Sequence, residues 1–313
     1  MGTTKKNFDA KKFVENLREH GSKVRCDDTQ DFFRKMELPI FYDEEKFKRY
    51  DLYGYRNSLF YHFCIKITVV CSFSRLWKSL VKVRNYHSIT SKMCARKGIG
   101  QITQFQMTVA QFGFMGYILS RPKIVGIHKV ADQDLEGFVH FWRVIGHLLG
   151  IEERYQYIGV PIHIIYLTCF RFNICRDSLA ETKEICDEFI QEIFRPTVLK
   201  WDPVFLNMTE ALTEGLWCMM PVLNKNVCLQ YVYQMVRNED VDKPVYSEVV
   251  KLNNFEILIY YFVKFMMYSL KFDVIRVFQN YNIHFILYCI EKFPFLAYYK
   301  FKKNEFLCFS TIF

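Results

Sequence analysis

A chain of 313 residues that is 51% apolar and 24% charged is too rich in core-forming side chains to be a linker, and it has room for one large domain or two small ones. Thirteen glycines and eight prolines argue against a turn-rich all-β fold, while 31 Phe and 20 Tyr suit a bulky core or a lipid-like ligand. The net charge of +9 is uneven: residues 52–131 hold twelve Lys or Arg and no Asp or Glu, and the remainder carries 30 basic against 33 acidic residues. Such a segment implies an anionic partner. Its interleaving runs are apolar, so a membrane surface is expected and nucleic acid is not.

Residues 1–38 read as a charged N-terminal segment. Charges occupy the places where a signal peptide needs its apolar core, so secretion is not expected, and residues 10–20 read as a short solvated helix. Residues 39–56 mix aromatics and charges at near-helical spacing. Residues 58–74 are strongly apolar but carry His62 and Lys66; the stretch is too short and interrupted for a confident span and reads as a buried or membrane-facing helix. Residues 76–97 predict a basic amphipathic helix stopped by Gly98-Ile99-Gly100. A second helix over 101–119 carries Gly113 and Gly116, a spacing that suits close helix contact, and Arg121-Pro122 ends it.

Residues 132–151, DQDLEGFVHFWRVIGHLLGI, predict a helix capped by Asp132 or Asp134. Phe138, Trp142, Ile145 and Leu149 share one face; Glu136, His140, Arg143 and His147 share the opposite one. Phe141, Val144 and Leu148 border that polar stripe, so the helix is expected to be buried almost all round. Residues 156–170 are β-rich and apolar, with Pro161 opposing a helix. Ser178-Leu179-Ala180-Glu181 is a capping-box sequence opening a helix to residue 194, which Pro196 follows. Further helices are expected over 202–219, over the lipophilic run 255–270 and over 273–295. The eleven cysteines are odd in number and lack metal-type spacing, so reduced structural thiols are the simplest account. About eight helices with short connections make an all-α fold.

The candidate chemistry rests on His87 with Arg84, and on His140, Arg143 and His147. Neutral imidazole is a common iron and zinc ligand, and haem iron needs at least one axial ligand. An Arg beside iron can hold a haem carboxylate or polarise bound oxygen. His140 and His147 lie about 10.5 Å apart on an ideal helix, too far to share one metal ion. The stripe therefore reads either as a cofactor pocket or as a satisfied polar network of the core.

Several segments resemble a known family. They are Trp77-Lys78-Ser79-Leu80, Val83-Arg84-Asn85-Tyr86-His87, Gly98-Ile99-Gly100-Gln101-Ile102-Thr103-Gln104, Gln111-Phe112-Gly113-Phe114-Met115-Gly116, the stretch from Phe138 to Glu152, and Glu214-Gly215-Leu216-Trp217-Cys218. Together they resemble the catalytic domain of endoplasmic-reticulum-bound fungal oxygenases and bacterial rubber oxygenases (latex clearing proteins), in its insect-type branch. The resemblance runs from about Tyr42 to Phe295 and is densest over 76–154, which places the domain at 39–295, followed by a tail at 296–313. It implies a single multi-helix domain with a globin-like core, haem b, and dioxygen-dependent cleavage of an isoprenoid or other apolar unsaturated chain, at the endoplasmic reticulum membrane. It further implies that Arg84, His87 and Ser88 form the catalytic, oxygen-side group, with His where the rubber oxygenases carry Lys.

Where those oxygenases carry their axial His, this chain reads Ala110-Gln111-Phe112-Gly113. His140 or His87 would then serve as ligand, or this branch has different chemistry or none. His140 is taken as the metal ligand, with Arg143 and His147 as cofactor-binding neighbours. Residues 156–170 interrupt the resemblance and read as an insertion. Without an oxygenase activity, the same features describe a helical protein that binds lipid or a membrane surface.

Overall fold

The computed structural model describes residues 8–27, 36–48, 73–153, 172–201, 203–216, 220–237, 251–293 and 295. The fold is all-α, as the sequence implies: among the described residues the nearest thing to a sheet is one bridge, Arg25 to Thr103. The apolar run at 58–72, the insertion at 156–170 and the tail at 296–313 lie outside the described residues.

Helix α1 (Ala10–Asn16) starts where the Asp9 carboxylate accepts the Lys12 amide at 3.0 Å, and it continues through a π-helical turn, Leu17–Gly21. The sequence reading made this helix solvated. Instead Phe13, Val14 and Leu17 are buried in the main core, because the helix lies on a later one, Leu179–Phe189. The chain then ties itself to residues 102–104 through Gln104 N to Val24 O at 2.8 Å and Cys26 N to Ile102 O at 2.9 Å.

Helix α2 (Phe73–Arg96) is followed by Gly98 and Gly100 in left-handed conformations, φ 69° and 124°. Helix α3 (Gln104–Ser120) begins at a capping box that the sequence reading passed over: Thr103 Oγ1 accepts from Gln106 N, and the Gln106 side chain accepts from Thr103 N. Of its glycine pair, Gly113 mediates no close contact. A side chain at Gly113 would meet open space, and one at Gly116 would meet the Phe112 ring of the same helix at 2.1 Å.

Helix α4 (Asp132–Leu149) lies between α2 and α3. Its N-cap is Ala131, and Asp132 and Asp134 sit inside the first turn, where they favour the helix dipole without capping it. Its other end is a Schellman turn: Gly150 adopts φ 100°, its N–H donates to His147 O, and Ile151 N–H donates to Gly146 O at 2.8 Å. Phe138, Trp142, Ile145, Phe141, Val144 and Leu148 are all buried, as the two-faced pattern predicts.

Helix α5 (Leu179–Phe189), capped by Ser178, packs on α1, α3 and α4 and passes through a second π-helical turn, Ile190–Phe194, into α6 (Arg195–Lys200). Pro196 thus sits in the first turn of a helix rather than after the last, a place where its missing N–H is no loss. Helices α7 (Pro203–Gly215), α8 (Lys225–Arg237) and α9 (Asn254–Ser269) follow, with α8 central among α6, α7 and α9. A smaller core of Val227, Leu229, Leu252, Ile259, Tyr260 and Val263 forms there. Helix α8 has no counterpart in the sequence reading. Helix α10 (Asp273–Lys292) ends the described helices.

Most large apolar residues of α9 and α10 are not in either core. Phe255, Leu258, Tyr261, Phe262, Phe265 and Tyr268 of α9 are exposed, as are Val274, Val277, Phe278, Tyr281, Phe285 and Tyr288 of α10. Phe265, Phe278 and Phe285 each retain about two thirds of their surface, at 63%, 66% and 65%. No helix among the described residues is long and apolar enough to cross a membrane.

Candidate functional site

His140, Arg143 and His147 of the α4 polar stripe meet Phe41, Tyr42 and Asp43, while Glu136 of the same stripe is exposed. Here Asp43 opens a helical turn over residues 44–48, its carboxylate accepting Lys46 N at 3.1 Å. The same residue's backbone N–H donates to Nε2 of His140 at 3.0 Å. His140 is buried, with the Tyr42 ring tilted beside it and Phe41 edge-on. Burial pushes its imidazole below the usual value, against the opposing pull of the Asp43 carboxylate, so the ring is held neutral. A neutral ring that accepts at Nε2 carries its proton at Nδ1.

Three residues on, Arg143 lies with its guanidinium 3.9 Å above the Phe41 ring. Its Nε and Nη2 form a fork onto Glu153 at 3.2 and 3.3 Å, and Nη1 donates to Asp177. Asn173 completes the group by donating from Nδ2 to Glu153 Oε1 at 3.0 Å and to the Arg143 carbonyl at 3.2 Å. Burial works against the charge of the Arg143 guanidinium, but the Glu153 and Asp177 carboxylates outweigh it and its pKa lies above the ordinary value. His147, one turn further, is half-buried against the edge of Phe41.

The α2 residues meet other partners. Arg84 is buried and donates from Nη1 to the Leu148 carbonyl at 3.0 Å, placing a cation on the C-terminal end of α4, where exposed carbonyls favour positive charge. Gln104, also buried, stitches the same end by donating to Gly150 O at 2.9 Å. Ser88 donates to Asp27 at 2.7 Å, and Asp27 pairs with Arg25 and Lys92. Burial would raise the Asp27 carboxyl, but the Ser88 hydroxyl and the two cations outweigh it and leave the pKa below normal. His87 is half-buried, which lowers its pKa, and its Nδ1 has no hydrogen-bond partner.

The six residues chosen from sequence therefore fall into separate groups. His140, Arg143 and His147 do share one surface, around Phe41. Arg84 meets α4 at Leu148, about 12 Å along the helix from His140 at 1.5 Å per residue, and Ser88 faces Asp27. Phe41, Tyr42, Asp43, Glu153, Asn173 and Asp177 complete the α4 network and were not among the sequence candidates. Glu153 and Asp177 had a signal, as acids flanking a basic stripe; a backbone donor such as Asp43 N–H has none.

Haem, which the resemblance implies, does not fit these side chains in their present arrangement. The His140 lone pair at Nε2 is taken by an amide, Arg143 is filled by two carboxylates, and Arg84 holds a helix end. At the place of the rubber oxygenases' axial His stands Gln111, whose Nε2 donates to Trp142 O at 2.9 Å inside the core and whose Oε1 has no partner. Among the described residues no three His, Cys, Asp or Glu side chains gather where they could hold a metal ion. Compared with family models, curated proteins and solved structures, the chain matches none.

Proposed function

We propose that this chain is a helical protein that binds lipid at a membrane surface, with α9 and α10 entering the interface between headgroups and acyl chains. The observation that carries the reading is the run of twelve exposed large apolar side chains on those two helices. Soluble monomers seldom expose contiguous apolar patches beyond a few hundred Å², and aromatic rings favour the lipid interface. A cation accompanies the exposed rings: Lys271 stands 3.6 Å from the Tyr268 ring centroid. Such side chains can lay their stems along an apolar face and hold their charge at headgroup level. Co-flotation of the full chain with phosphatidylcholine vesicles containing phosphatidylserine is expected to carry it to the lipid fraction; a chain that stays in the aqueous fraction would refute the reading.

A second reading is favoured by one observation. His87 is shifted toward its neutral form by burial, and its Nδ1 is buried without a hydrogen-bond partner. Under the haem-dependent oxygenase reading, with its isoprenoid-type substrate and globin-like core, Asp43 would have to leave His140 or His87 would have to take the iron. A Soret band at near-stoichiometric haem, lost in His87→Ala or His140→Ala, supports that reading. Absence of a band after reconstitution with haem removes it.

A further inference from the structure

The outward side of α2 carries a pattern that neither core uses. Lys78, Lys82, Tyr86, Ile89, Met93 and Arg96 fall within an arc of about 80° at 100° per residue, and all six are exposed. Ile89 and Met93 keep 53% and 50% of their surface. The inward side holds Leu76, Leu80, Arg84, Ser88 and Ser91, so the outward arc is fixed by packing and cannot rotate into the core. Lys78, Lys82 and Arg96 make no ion pair with any described residue, and α2 contains no acidic side chain at all. A solvated helix face normally mixes both signs of charge with small polar residues. This one alternates cations with large apolar groups.

From this placement we infer that α2 is a second lipid contact, which selects anionic headgroups, and that its occupant is the negatively charged surface of a bilayer. The inference rests on the membrane reading above but concerns a different part of the molecule and a different property. Charge complementarity carries it: three free cations on one arc, within an 80-residue stretch without a single acid, match a surface of closely spaced phosphates and carboxylates. The interleaved Tyr86, Ile89 and Met93 supply what nucleic acid would not need, shallow apolar insertion between headgroups. The exposed rings of α9 and α10 supply apolar attachment that does not require lipid charge; α2 adds the preference.

The test is vesicle binding by the full chain, with neutral phosphatidylcholine vesicles compared with vesicles containing about a third phosphatidylserine, across a range of salt. Each surface cation near an anionic bilayer is worth roughly fivefold in affinity. The triple variant Lys78→Glu, Lys82→Glu, Arg96→Glu, which adds repulsion to the loss of three attractions, is therefore expected to lose well over a hundredfold on anionic vesicles. Its binding to neutral vesicles should be unchanged, and its stability should fall by no more than about 1–2 kcal/mol, roughly 5- to 30-fold in the folding equilibrium, from reversing Arg96 in the last turn of the helix. The milder Lys78→Gln, Lys82→Gln, Arg96→Gln variant should fall between, and its binding should depend less on salt. Unchanged anionic binding in both variants, or equal wild-type affinity for the two vesicles, overturns the α2 contact and leaves the α9–α10 reading standing. A wild type that binds neither vesicle overturns both. Displacement of anionic vesicles by an equal charge of RNA, with tighter binding to the RNA, assigns the arc to nucleic acid and also overturns the proposal.

Discussion

Arg143→Ala separates a structural tie from a ligand-holding group. The Arg143 side chain is 11% exposed and that of Glu153 15%, so their two-point contact lies mostly out of water. Removing one partner of a buried ion pair typically costs about 3–5 kcal/mol. Here Glu153 keeps the Asn173 hydrogen bond, which offsets part of the loss. The contact over Phe41 adds roughly 0.5–2 kcal/mol, whereas Asp177, 79% exposed, contributes little. The net expectation is a loss of about 3 kcal/mol. Arg143→Lys keeps the charge but gives up the planar fork and should cost roughly half as much. Arg143→Met combined with Glu153→Leu removes both charges together and should recover most of the stability. Urea unfolding followed by circular dichroism reads this directly: with a slope of about 3 kcal/mol/M, Arg143→Ala moves the midpoint down by about 1 M. A midpoint within the error of wild type would refute the network, and would return Arg143 to the role of a group awaiting a ligand.

The two glycines of α3 should respond in opposite directions. Gly113→Ala places a methyl group in open space on a helix and should stabilise by up to about 1 kcal/mol. Gly116→Ala drives a methyl group into the Phe112 ring, itself stacked on Phe189 and Phe194, and should destabilise by roughly 1–3 kcal/mol; thermal melts of the pair would expose an error in this packing. The pH response follows from His87 and His140, whose folded pKa values burial holds below the ordinary 6.5. As pH falls through about 6.5 the unfolded chain takes up protons that the folded one does not, so their contribution to stability is complete above that pH and shrinks below it. His140→Gln should flatten this fall when unfolding free energy is measured between pH 7.5 and 5.5; an unaltered slope in both His140→Gln and His87→Gln would refute the assignment.

The helical class and the burial of α4 were legible because they depend on local periodicity. Phe138, Trp142 and Ile145 recur at helical spacing, and the apolar neighbours of His140 and Arg143 bury most of the helix, leaving Glu136 of the polar stripe in water. What those polar groups do was not legible. His140 is met by a backbone N–H from Asp43, 97 positions away, and any residue except Pro could supply such a donor. Arg84 likewise ends on a carbonyl, so the motif around it looks catalytic whether it holds oxygen or the end of α4. The capping boxes at Thr103 and Asn253 were readable and passed over; the π-helical turn Ile190–Phe194 was not, since an extra residue in one turn has no composition of its own. The lipophilic run of α9 shows a different limit. Composition marks it as apolar, but only packing separates Ile259, Tyr260 and Val263, which are buried, from Phe262 and Phe265, which are not.

The most direct measurement is co-flotation with phosphatidylcholine vesicles for wild type and for Phe265→Asp, Phe278→Asp, Phe285→Asp, with oligomeric state followed by light scattering. Each ring is about two thirds exposed, and its transfer to lipid is worth about 1–2 kcal/mol. The account predicts that the triple variant loses at least roughly a hundredfold in vesicle affinity while its folding is preserved. Equal binding by wild type and variant, or a wild-type dimer that the variant converts to monomer without any change in lipid binding, would contradict it.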